Sequence, residues 1–147
     1  MSSRTATSDD LATRLRYALT RTARRLRQES STGLSPALTA ALSTVERHGP
    51  LTPSELADAE RVQRPTATRI VARLEDQGLI SRAADPADGR ASLISITDEG
   101  RALMAEIRER KDAYLAARLD ELDPADVEAL GRAADVLERL LEEDPRR

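Results

Sequence analysis

Between Arg61 and Leu74 the sequence carries Arg61, Arg64, Arg69 and Arg73 and no acid. A guanidinium stays charged and presents a planar fork of donors, a shape that suits phosphate oxygens and the edge of a guanine. Arg69 and Arg73 stand four residues apart, so on a helix they share one ridge, with Ile70, Val71 and Leu74 facing inward. Arg64, Thr66 and Thr68 gather at the start of the same segment, the end of a helix that reaches base edges in a major groove. A second cation stands downstream. Arg90 follows Asp88-Gly89, a hairpin-turn signal, and is expected just beyond a thin turn, from which it can reach toward a minor groove. Asp88 is expected to accept from that guanidinium and hold it extended. A basic helix face by itself is common on ordinary helices, so the scaffold decides what it means.

That scaffold is well punctuated. Thr52-Pro53-Ser54-Glu55 is a capping box with proline in the first turn, and it opens a short helix to about Ala59. The run from Glu60 to Pro65 breaks the helix, because a residue before proline disfavours helical geometry. A longer helix then runs from about Arg64 to Gln77 and stops at Gly78. A short capped helix, a tight turn and a longer helix make a helix-turn-helix. Leu79–Arg82 and Leu93–Thr97 read as two strands around the turn residues 85–90. An isolated hairpin is marginal in water, so this one must pack on the helices before it. The expectation is mainly α with a small β-hairpin wing, a winged helix.

Long helices flank it. Ser8 with Asp9 and Asp10 reads as the start of the first, whose Leu11, Leu15, Leu19 and Leu26 keep one apolar face until about Ser30. Ser35-Pro36 opens the next, with Leu38, Leu42 and Val45 inward and Gly49-Pro50 at its close. After the wing, Thr97-Asp98-Glu99 starts a helix to about Leu122, and Asp123-Pro124 starts the last. In that last helix Val127, Leu130, Ala134, Leu137 and Leu141 step by three and four, as in a coiled-coil seam. Packing within the chain would also explain the stripe, but the surplus apolar surface points to a second copy of the chain. The organisation is thus residues 1–34 as an N-terminal dimerisation helix, 35–100 as a winged helix-turn-helix, and 101–147 as C-terminal dimerisation helices.

The composition excludes much. The chain has 147 residues with no Cys, Trp or Phe and a single histidine, His48. Disulfides and thiol chemistry are ruled out, and a zinc site or histidine base has almost nothing to work with. No cofactor or metal is expected. Carboxylates are plentiful but scattered, with no partner base, which argues against an enzyme. No apolar run is long enough to span a membrane and no signal-peptide core opens the chain, so a cytoplasmic protein is expected. The net charge of −3 misleads. Residues 1–49 hold eight Arg against four acids, residues 50–95 six against seven, and residues 96–147 nine bases against fifteen acids. The acidity belongs to the C-terminal third. With two tyrosines as the only aromatics, stacking on single-stranded bases is excluded, which leaves double-stranded DNA as the nucleic-acid partner. The acidic third keeps one rival reading open, a winged-helix protein-interaction module that does not bind DNA.

The runs "LTPSELADAERVQRPTATRIVARLEDQGLISR" and "DPADGRASLISITDEG" resemble the winged-helix core of MarR-type regulators, the multiple antibiotic resistance regulator family. Flanking helices of matching order and length extend the resemblance over nearly the whole chain. It implies a bacterial homodimer, a repressor that binds a pseudo-palindromic operator. Carried over, the recognition role falls on Arg64, Thr66, Thr68, Arg69 and Arg73 and the wing role on Asp88 and Arg90, with Gly89 where relatives often have another cation. Leu11, Leu15, Val127, Leu130, Leu137 and Leu141 are the expected dimerisation residues. Many relatives answer to a small aromatic or lipophilic anionic effector, for which Arg14, Tyr17, His48 and Tyr114 are the candidate lining residues.

Overall fold

The structure, a computed structural model, describes the backbone of residues 2–142 and the side chains of residues 7–142. Among the described residues, six helices and one hairpin follow in the order α1 (Ser2–Glu29), α2 (Pro36–His48), α3 (Pro53–Glu60), α4 (Arg64–Asp76), β1 (Ile80–Ala84), β2 (Ser92–Ile96), α5 (Asp98–Leu119) and α6 (Pro124–Glu142). The chain divides into two compact units, one up to Lys111 and one from Asp112 onward, with α5 running through the division.

Local chemistry sets most boundaries. Ser35 caps α2 by accepting from the Leu38 N–H at 3.3 Å. At α3 the box is complete in both directions: Thr52 Oγ1 accepts from Glu55 N–H at 3.2 Å, and Glu55 Oε2 accepts from Thr52 N–H at 2.7 Å. Gly78, at φ 71, ends α4 as its position requires. The start of α1 departs from expectation. The helix runs from Ser2, so Ser8, Asp9 and Asp10 lie inside it rather than at its cap. No Pro or Gly precedes them to stop a helix, and a serine or aspartate caps only where the chain turns away.

The break between α3 and α4 also has a different cause. Arg61 adopts the left-handed conformation at φ 53, ψ 44, its N–H bonding to the Asp58 carbonyl at 3.2 Å. The Val62 N–H reaches back to the Ala57 carbonyl at 3.0 Å. These two bonds form a Schellman stop, with arginine where glycine is usual. Arg64 itself is helical despite preceding Pro65, which is tolerated in a first turn.

The first unit is built on an aliphatic core. Leu42, Val45, Leu56, Val71, Leu74 and Ile94 are almost wholly excluded from solvent, with Met104 and Ile107 of α5 packed among them. β1 and β2 pair antiparallel with Ile80 opposite Ile96 and Ala84 opposite Ser92. Leu51 adds a bridge to the outer side of β2, exchanging both backbone bonds with Ile94 at 2.8 and 3.1 Å. The hairpin is therefore fastened to the segment just ahead of α3. The second unit is different, since none of its described residues is buried and α6 has no buried position.

Candidate nucleic-acid interface

The α3–turn–α4 pair sorts its side chains into a buried face and an exposed arginine ridge. Ala67, Ile70, Val71 and Leu74 are buried, while Arg64, Thr68, Arg69 and Arg73 are exposed and Thr66 is half-buried. Two of these side chains are already bonded along their own helix. Thr68 Oγ1 donates to the Arg64 carbonyl at 3.0 Å, and Arg69 Nε donates to the Pro65 carbonyl at 3.4 Å. The fork of Arg69 remains outward. Just beyond Arg73 and Leu74, Glu75 is paired with Arg82 of β1 at 3.0 Å.

The wing differs from a two-residue hairpin. Its strands are joined by residues 85–91, closed by the Asp85 N–H to the Ala91 carbonyl at 2.9 Å. The tip is a turn from Asp88 to Ala91, with Gly89 and Arg90 as its central residues, so Arg90 sits in the turn rather than beyond it. Gly89 is not among the positive-φ residues, which excludes the mirror-image turn that Asp-Gly suggests. Asp88 does hold Arg90, but through the backbone: its Oδ1 accepts the Arg90 N–H at 3.1 Å, while Asp85 Oδ1 accepts the Ala87 N–H at 2.9 Å. The guanidinium is left exposed.

Of the four expected effector residues, Arg14, Tyr17 and His48 lie in the first unit and Tyr114 in the second. Arg14 and Tyr17 are exposed on α1, and Tyr17 is engaged by Arg21, whose Nη1 donates to its hydroxyl at 3.2 Å and whose guanidinium lies 5.2 Å from the ring centre. His48 is exposed at the end of α2. Tyr114 belongs to the second unit, with the Arg118 guanidinium 5.3 Å from its ring. A groove of about 890 Å³ in the first unit is lined by none of them; its walls carry Arg24, Arg27, Arg47, Lys111, Thr44 and Glu60. Arg24 and Arg27, three residues apart on one helix, were the available signal for it. No group of three His, Asp or Glu among the described residues is arranged to hold a metal ion.

A capped helix-turn-helix with an acid-free arginine ridge, and a hairpin carrying an exposed arginine at its tip, define a winged-helix DNA-binding protein. The MarR family profile matches residues 34–92. An HTH-type transcriptional regulator of Mycobacterium tuberculosis is 38% identical over 136 residues, spanning 92% of this chain and 95% of that protein. A Pseudomonas aeruginosa protein provisionally assigned as a transcriptional regulator superposes with a TM-score of 0.84 at 31% identity, covering 94% of this chain and 98% of that one. Staphylococcus aureus MepR, solved with an oligodeoxyribonucleotide, shares the fold at a TM-score of 0.71 and 20% identity, over 88% of this chain and 97% of its own. The chain belongs to the MarR family of DNA-binding transcriptional regulators. These relatives are regulators rather than enzymes, and no helix among the described residues is long and apolar enough to cross a membrane.

Proposed function

We propose that the protein is a homodimeric repressor that places α4 of each copy in a major groove of a pseudo-palindromic operator and Arg90 of each wing in the adjacent minor groove. The observation that carries this is the exposed ridge of Arg64, Thr68, Arg69 and Arg73, free of acids and bordered by the half-buried Thr66. The MepR complex is in keeping with it, as a protein of this fold held with DNA. Support for the dimer comes from surface chemistry. Leu11 and Leu15 on α1 and Val127, Leu130 and Leu141 on α6 are exposed, Leu141 by 63%, and Leu137 is only half-buried. Apolar surface of that extent calls for a partner, and a second copy supplies the same surface. The groove with Arg24, Arg27, Arg47 and Lys111 suits a small aromatic or lipophilic anion as effector.

Selection of duplexes from a random-sequence library tests the reading. The expected product is an inverted repeat with half-sites about one helical turn apart. Arg90→Ala should then weaken binding to that duplex with no change in melting temperature, and should flatten the log affinity against log salt slope by roughly one to two units per dimer. Failure to enrich any sequence, with capture of a protein partner instead, would turn the assignment to the interaction-module reading. The variant Leu130→Glu/Leu141→Glu should run as a monomer in light scattering if α6 carries the dimer.

A further inference from the structure

We infer that Glu60 is a positioning residue through which an anion in the groove loosens the grip of α4 on DNA. This rests on the effector reading of the groove. Glu60 is the last residue of α3, where a negative charge lies against the carbonyl end of the helix dipole. It is held there by Thr44 of α2, whose Oγ1 donates to Glu60 Oε1. Both residues are half-buried and both line the groove. The next residue, Arg61, is the left-handed pivot of the turn, and Arg64 already opens α4. Little slack separates the Glu60 carboxylate from the recognition helix.

Among the described lining residues Glu60 is the one acid, against Arg24, Arg27, Arg47 and Lys111. An anion drawn to those four cations therefore meets Glu60 as its like charge across a partly desolvated wall. Repulsion breaks the Thr44–Glu60 bond, the end of α3 shifts, and the first turn of α4 with Arg64, Thr66 and Thr68 moves with it. Reciprocity follows: DNA that holds α4 in place keeps Glu60 in the groove and lowers its affinity for the anion.

The test uses 8-anilinonaphthalene-1-sulfonate, an aromatic anion whose fluorescence reports its own binding, and the duplex selected by the full chain. The quantity read is the ratio of DNA dissociation constants with and without saturating probe, so that changes in basal affinity cancel. For the unaltered protein the expected ratio is about tenfold. In Glu60→Gln it should fall below about threefold while the probe binds more tightly. Thr44→Val, which frees the carboxylate, should also lower the ratio. Asp58→Asn, removing an exposed acid outside the groove on the same helix, should leave it near tenfold. An unchanged ratio in Glu60→Gln overturns the inference even if basal DNA affinity has changed, because a merely structural role would do only that. If the probe binds equally well to Arg27→Ala/Arg47→Ala, the groove is not its site and the inference falls with the effector reading. DNA binding without probe stays measurable in that case, and so keeps the proposed function separate.

Discussion

On the exposed ridge of α4, two side chains are already bonded to their own helix. Thr68 has spent its hydroxyl proton on the Arg64 carbonyl, which leaves its oxygen able only to accept a further bond. Arg69 is tethered through Nε to Pro65 and keeps its two terminal amino groups, the fork that matches O6 and N7 of guanine. Arg69→Ala should cost about 1–3 kcal/mol on the selected duplex and abolish discrimination between guanine and 7-deazaguanine at one position per half-site. If the unaltered protein already fails to discriminate, Arg69 grips phosphate. The ridge could be read from spacing alone, because residues four apart on a helix must be neighbours. The left-handed Arg61 could not, since glycine or asparagine normally marks that conformation and neither is present. Nor could the bond of Asp88: a carboxylate two residues before an arginine can take the guanidinium or the backbone N–H, and only the turn geometry decides.

At the level of elements, α5 begins where three segments meet. Thr97 Oγ1 donates to the Gly78 carbonyl at 2.6 Å and accepts the Gly100 N–H at 3.1 Å, tying the end of α4 to the start of α5. A Cβ on Gly100 would run into the Leu79 carbonyl oxygen and lie 2.7 Å from Ile96 Cγ1. Gly100→Ala should therefore destabilise the first unit by about 1–3 kcal/mol, read as a lower urea midpoint. Further along α5, Arg108 grips Glu46 of α2 through two bonds of 2.7 and 3.2 Å. That hydrogen bond holds the Glu46 carboxyl below its ordinary value of 4.5, against the opposing effect of burial. A carboxyl depressed by folding contributes stability above its unfolded value and loses it as the pH falls through the folded one. Glu46→Gln should thus lower stability at neutral pH by at most about 1 kcal/mol, the pair being solvent-screened, and flatten the decline below pH 4.5. Caps and stops were legible in the sequence because they are local: Thr52 with Glu55, Ser35, and Gly78. The pairing of Leu51 with Ile94 was not, because it joins segments separated by the whole of α3, α4 and β1 and leaves no periodic trace.

For the whole molecule, net charge is a poor guide to partner. Acids gather in the C-terminal third, whereas the α4 ridge and wing tip carry arginines. The core is aliphatic throughout, with no Phe or Trp, and the two tyrosines fall one in each compact unit. Each lies beside an arginine rather than in a core, Tyr17 by Arg21 and Tyr114 by Arg118. That placement supplies a pair of built-in optical reporters. With Tyr17→Phe, all near-ultraviolet emission comes from Tyr114 and follows the second unit alone; with Tyr114→Phe it comes from Tyr17 and follows the first. Because the second unit buries none of its described residues by itself, its melting temperature should climb as the protein is concentrated, a mass-action signature of association. A Tyr114 transition that ignores concentration over a hundredfold range would show that these helices stand without a partner. An absence of tryptophan, ordinarily a nuisance for spectroscopy, here lets the emission of one phenol be assigned to one half of the chain.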